Sequence, residues 1–267
     1  MTTPPEDIQL NAANQLVRLK QIVKHLASTW PLVLRRLTIM KSMGRNDELR
    51  GALKGTYAAH VHNTIQDVLI IDLIREIAAL ILDNDKRSAS ARRAVAILHN
   101  DAVLNELEKE YNVVDPRPRI YDEDHLNPVQ GRALKTQFQH YERESAAKEF
   151  RTLRRRLEGQ GEVAFKSGIG TRILTARNKA VAHYDIVRHG TDWRMWRLGD
   201  TALTYGDVDA YVDMCTSLVD MLNLLVRRES SDFKACKDID EEYAKEYVAA
   251  LLIGLRAQRE KRQDQGV

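Results

Sequence analysis

Apolar residues recur at threes and fours along most of this chain, the spacing that lines one face of an amphipathic helix. Leu10, Leu16, Leu19, Ile22, Val23 and Leu26 form a first stripe behind a loose tail at residues 1–6, where Pro4 and Pro5 cannot continue a helix. Trp30-Pro31 interrupts it. Proline suits the first turn of a new helix, which Leu32, Val33, Leu37 and Met40 carry to about Met43. Residues 44–47 read as a connection, and residues 48–82 as one long helical block whose apolar content rises towards 68–82, placing that half in the core. Residues 83–87 are polar and predict a loop, and Ser88 opens a helix that runs to about Tyr111. Residues 112–130, with Pro116, Pro118 and Pro128, form a connection longer than the usual loop. A helix over about 131–157 then ends at Gly159 and Gly161.

The C-terminal third has stronger local signals. Residues 168–185, GIGTRILTARNKAVAHYD, predict an apolar helix with Ile169, Ile173, Val181 and the alanines inward. Between 186 and 204, the turn signals His189-Gly190 and Gly199-Asp200 flank Trp193 and Trp196 and predict a small hairpin or structured loop. Thr204 and Asp207 fit a capping box with Asp in the place of Glu. The helix they open has Val208, Tyr211, Cys215, Leu218, Leu222 and Leu225 on one face and ends at Arg227 and Arg228. A last helix, about 238–262, starts acidic and ends basic, as the helix dipole favours, and offers Tyr243, Tyr247, Leu251 and Leu255 as its docking face. The three most apolar segments, 68–82, 169–181 and 208–225, are expected to pack on one another in a single all-α domain spanning 1–267.

Composition narrows the class. The 267 residues are 43% hydrophobic, enough for a sizeable core. No apolar run approaches the roughly 18 residues of a membrane span, and the N-terminus lacks the pattern of a signal peptide, so a soluble cytoplasmic protein without a membrane partner is expected. Cys215 and Cys236 make neither a disulfide framework nor a metal cluster, and Cys215 reads as a small core residue. The net charge of +3 does not argue for nucleic acid by itself. Its distribution does more: Arg143, Lys148, Arg151, Arg154, Arg155 and Arg156 stand against three glutamates. Arg151, Arg154, Arg155 and Arg156 either track an RNA backbone or form a solvated face laced with i,i+4 pairs. His60 and His62 point to different faces of their helix and share no site. No dinucleotide fingerprint, P-loop or zinc motif occurs, and no cofactor or metal is expected.

The residues RNKAVAH at 177–183, Arg-Asn, four residues and then His, resemble the Arg-polar-x(3 to 5)-His signature of the HEPN superfamily. With the Tyr184-Asp185 that follows and TYGDVDAYVDMCTSLVDMLN from 204, they are similar to its abortive-infection U-like branch. The resemblance covers about 30–82 and 165–228, within a HEPN-like core of 8–82 and 165–228. Residues 84–160 then read as a helical insertion and 238–262 as an extra C-terminal helix. It implies an up-and-down helical bundle, commonly a homodimer, whose active members cut RNA without a metal as defence or toxin enzymes, with a neutralising antitoxin or regulator as a further partner. It also implies an alternative, because members that have lost catalysis act as RNA- or protein-binding modules.

The residues support that chemistry independently. Metal-free cleavage of RNA needs a base for the 2′-hydroxyl proton and positive charge on the crowded phosphate. His183, with an ordinary pKa of about 6.5, suits the proton transfer, and the guanidinium fork of Arg177 suits the phosphate. Asn178 supplies a positioning hydrogen bond, Lys179 and Tyr184 line the substrate, and Asp185 orients the imidazole, although helix-end solvation explains Lys179 and Asp185 as well. On a regular α-helix, Arg177 and His183 would stand about 120° out of alignment and about 9 Å apart along the axis. Either the helix ends before His183, or two copies of the motif meet across a two-fold axis.

Overall fold

The computed structural model describes residues 12–113, 128–182, 186–189, 192–195 and 198–264. Within them the chain is an all-α bundle: α1 Ala12–Gly44, α2 Asp47–Leu53, α3 Tyr57–Ile77, α4 Ala91–Leu98, α5 Asp101–Tyr111, α6 Pro128–Lys166, α7 Gly168–Ala176, α8 Tyr205–Arg227 and α9 Phe233–Asp264. α3 continues into a π-helical turn at Ala78–Leu82, and α7 into another at Arg177–Ala182. The expected small hairpin is present as β1 (Ile186–His189) and β2 (Asp192–Met195), antiparallel with Ile186 opposite Met195. The expected tail at 1–6 and the middle of the 112–130 connection, residues 114–127, lie outside the described residues.

α1 is the element against which α3, α4, α5, α8 and α9 pack. The predicted interruption at Trp30-Pro31 does not occur: α1 passes through Pro31 as one helix of 33 residues. An interior proline removes a backbone hydrogen bond and costs about 3 kcal/mol, but the apolar stripe runs unbroken on both sides of it. Leu26, Trp30 and Val33 are fully buried, and the Trp30 indole donates from Nε1 to Thr216 Oγ1 of α8 at 2.9 Å. Packing across the whole stripe outweighs the single lost bond.

Other boundaries differ for equally local reasons. The 48–82 block divides into α2 and α3 because Gly55 turns the chain at φ +76°, in the left-handed region that favours glycine. The helix expected over 88–111 is two, since Asn100 caps α5 by accepting from Ala102 N at 3.0 Å. Conversely, α6 runs through Gly159 and Gly161. Gly161 is buried, and a Cβ there would stand 3.2 Å from the Phe165 ring and 3.8 Å from Val95, so this glycine serves the packing of α4 on α6 rather than a helix stop. α9 begins at Phe233, where the Asp232 side chain accepts from Ala235 N at 2.9 Å. Its docking face is Phe233, Asp240, Ala244, Val248 and Leu252, with Leu251 and Leu255 partly buried, whereas Tyr243 and Tyr247 are exposed. α9 is apolar on two faces, and the buried Asp240, which accepts from Arg35 Nε at 2.8 Å, marks the one that faces α1.

The three segments expected to share a core do so: Ile70 to Leu82, Ile173 with Ala176, and Val208 to Val226 contribute to one buried cluster, with α1 among them. A smaller cluster joins Leu49 and Leu53 of α2 to Val248 and Leu252 of α9. Trp30→Ala should therefore cost about 3–5 kcal/mol, read as a lower urea midpoint with an unchanged slope. Cys215 lies fully buried in the α8 stripe, as expected, and burial pushes its thiol up to about 12. A thiol reagent at pH 8 should accordingly label Cys236 alone in the native protein and both cysteines once the chain is unfolded.

Candidate functional site

α7 carries the Arg-Asn-Lys turn, and its neighbours hold it closely. Ser167 caps it, accepting from Gly170 N at 2.9 Å. Gly170 allows a close approach to α6 and α8, because a Cβ there would stand 3.1 Å from Ala164 O and 3.1 Å from the Tyr211 hydroxyl. That hydroxyl, fully buried, donates to Ala164 O at 3.1 Å, and burial raises its pKa well above the ordinary tyrosine value. Arg172 reaches Asp207 in the first turn of α8 at 3.1 Å, where Asp207 also closes the expected capping box with Thr204. Hydrogen bonds from Thr204, with Arg172 alongside, hold the Asp207 carboxyl below its ordinary pKa. Ile173 and Ala176 fill the core beneath, and Ile169 packs against its edge.

Beyond Ala176 the helix widens, its hydrogen bonds spanning five residues instead of four over Arg177–Ala182. This turn packs against α3, while the π turn that closes α3 packs against α7. The two segments thus lie side by side and antiparallel. Arg177 is half-buried, with Nη1 donating to Asn178 Oδ1 at 3.2 Å; Asn178 is exposed and Lys179 half-buried. One turn thereby brings together Arg177, Asn178 and Lys179. His183, Tyr184 and Asp185 lie outside the described residues. The expected 120° offset concerns His183, which lies beyond the end of the π turn at Ala182 and outside the described residues.

The other candidates separate. Arg154 pairs with Glu158 at 2.8 Å, an i,i+4 pair of a solvated helix face, and Arg151 reaches Glu108 of α5 at 3.8 Å, whereas Arg155 and Arg156 are exposed with no ion pair to another described residue. His60 is exposed. His62 is buried beside Gln66, with a pKa lowered by burial, so the two lie on different faces of α3, as their spacing predicts. Among the described residues, no group of three or more His, Cys, Asp or Glu is placed to hold a metal ion, and no helix is long and apolar enough to cross a membrane.

Two features escape a reading of periodicity. A π turn leaves no local signature, because the residues that form it also suit an α-helix. The second feature is Arg36 of α1, which pairs with both Asp72, at 3.2 Å, and Glu76 of α3. Its signal is present: two acids one helical turn apart in the apolar run 68–82 call for a basic partner, since a charge half-removed from water must be paired.

Compared with known proteins, residues 11–247 match the model of a family described as AbiU2, of the HEPN type. No curated protein and no solved structure matches the chain. The match extends beyond the 30–82 and 165–228 covered by the motif resemblance, running across the 84–160 segment and into α9 as far as residue 247. With that span matched and the Arg-Asn-Lys turn set on an all-α bundle, the chain belongs to the HEPN AbiU2 family.

Proposed function

We propose that the chain is a metal-independent endoribonuclease of the defence or toxin type. The observation that carries the reading is the state of Arg177. It is half-exposed at the start of a packed π turn, and its partner among the described residues is the amide oxygen of Asn178, not a carboxylate. Its charge is therefore held in place yet left for a phosphate. His183 takes the 2′-hydroxyl proton, the 2′-oxygen attacks phosphorus, and the 5′-oxygen leaves with a proton, giving a 2′,3′-cyclic phosphate. Arg177 neutralises the charge that builds on the phosphoryl oxygens. Arg155 and Arg156 track the RNA backbone at a distance from the reaction. Two copies of the motif meet in a composite site across a two-fold axis, and a neutralising partner acts by covering it.

Purified protein should cleave RNA in EDTA and leave cyclic phosphate ends. His183→Ala should slow cleavage by about 10²–10⁴-fold, the range that general acid–base catalysis supplies. Arg177→Lys should also fail, because a point charge does not reproduce the two-pronged contact. Wild type and variants must be purified identically and shown by circular dichroism to be equally folded. Equal cleavage by all three would assign the activity to a contaminant and leave a binding module. Separately, Arg155→Ala with Arg156→Ala should reduce the slope of log affinity against log salt by about 1.4, at about 0.7 for each single-strand phosphate contact. An unchanged slope would return both arginines to the role of a solvated face.

A further inference from the structure

A cleft of about 330 Å³ opens between α1, α5 and the C-terminal end of α8. Asp207, which holds α7 through Arg172, stands at the other end of the 23-residue α8, so the cleft lies about 30 Å along that helix from the α7 contact. Leu107, Leu225 and Val226 give it apolar surface, with the buried Tyr111 ring among them. Small-molecule sites are built in this way, as clefts of about 300–1,000 Å³ between helices, apolar with a few placed polar groups.

The charges around the cleft do not balance. Lys20 pairs with Glu110, and Arg227 with Glu229. Lys24, exposed on α1, has no ion pair to another described residue, and Arg228 has no carboxylate among them, so two cations are in excess. Glu149 of α6 lies beside the Tyr111 hydroxyl but does not line the cleft. Arg228 is held in place: its guanidinium lies 4.9 Å from the centre of the Tyr111 ring, and Nη1 donates to Val113 O at 3.2 Å. One acceptor leaves most of its five N–H donors unused. Its backbone, at φ +57°, takes the left-handed conformation in which a helix ordinarily ends on glycine. Arginine bears strain there that glycine would not, and strain kept in a fold points to a use for the side chain. The end of α8 attracts no anion by itself, because its last carbonyls carry partial negative charge. Only the side-chain cations make the cleft positive.

We propose that this cleft binds a small phosphomonoester with an apolar body. Two cations in excess match a dianion, and a phosphomonoester carries about −1.5 to −2 at pH 7, whereas a carboxylate carries a single charge. Arg228 presents a fork of donors to the phosphate oxygens, and Lys24 supplies a point charge from the α1 side. Leu107, Leu225 and Val226 cover the body of the ligand. The site is separate from the Arg177 turn and does not rest on the nuclease reading.

Calorimetric titration of the purified chain with phenyl phosphate, benzoate and inorganic phosphate tests each part. Phenyl phosphate should bind saturably and more tightly than benzoate, which keeps the ring with one charge, or inorganic phosphate, which keeps the charge without the ring. Lys24→Ala should weaken phenyl phosphate about tenfold or more, the loss of one hydrogen bond to a charged group. Its urea midpoint should not move, because Lys24 ties no other described residue. Arg228→Gly suits the left-handed backbone and should abolish binding; a shifted urea midpoint with unchanged affinity would make Arg228 a tie between α5 and α8 and overturn its role. Absence of saturable binding, or full affinity in Lys24→Ala, would overturn the site. Equal affinity for benzoate would overturn the dianion, and equal affinity for inorganic phosphate the apolar body. A short RNA with a 5′-phosphate that binds more tightly than phenyl phosphate, by a margin that Lys24→Ala removes, would give the site to RNA ends and overturn the small-molecule assignment.

Discussion

One unbroken helix makes the rest of this bundle possible. α1 presents a buried stripe from Leu16 to Met43, about 40 Å of continuous apolar surface, and five other helices pack against it. If the chain turned at Pro31, the upper and lower halves of that stripe would be separate, and α8 and α9 would have no common surface to lie on. The proline is tolerated because its cost of about 3 kcal/mol is confined to one turn, whereas the burial it would disrupt spans the whole length. Trp30 secures the weakest point by filling the space beside the proline and bonding Thr216 across the interface. α3 is tied to the same helix by Arg36, which holds two carboxylates of α3 at once. The position of the candidate site follows, because α7 lies against α3 on one side and α8 on the other, and both are fixed by α1.

How much of this was legible in the sequence depends on the range over which each signal acts. α8 reads correctly from end to end because its cap, its apolar stripe and its terminal arginines are local, and nothing in the tertiary structure opposes them. Pro31 and Gly161 misread for the opposite reason: a breaker residue states a local cost, and packing against distant residues such as Thr216 and Val95 decides whether it is met. Gly55 and Asn100 are the converse case, small turn-formers inside long apolar patterns whose periodicity masks the break. α9 misreads in its orientation rather than its existence. Both of its faces are apolar, so a stripe containing Tyr243 and Tyr247 does not reveal that the helix docks through Asp240 and Val248.

The motif is legible in the sequence and its backbone shape is not. Arg, Asn, Lys and His within seven positions stand out whatever the backbone does, and the structure sets Arg177, Asn178 and Lys179 on a π turn, with His183 outside the described residues. The π turn is invisible at that level, since it depends on how α7 meets α3. On α3, apolar residues that helical periodicity assigns to a core turn out to face solvent, Val61 and Val68 among them. A strong stripe predicts that a surface will be covered, but does not say whether the covering belongs to the same chain.

Charge pairing gives that placement its meaning. The chain is nearly balanced, with 41 basic and 38 acidic residues, and many of the described cations are held by carboxylates: Lys41 by Asp209, Arg35 by Asp240, Arg172 by Asp207 and Arg154 by Glu158. In such a protein the overall charge does not direct a polyanion to any one face, and the local question is which cation lacks an acid. Among the described residues Arg177 has an amide, not an acid, for its partner, and the turn that carries it packs against α3. An arginine held in this way can bind a phosphate without first breaking an ion pair, and much of the entropy of fixing its geometry is already spent in folding. The same feature would be costly in a bare surface helix. Here the turn that carries it packs against α3, so the backbone from which the guanidinium extends is held in place.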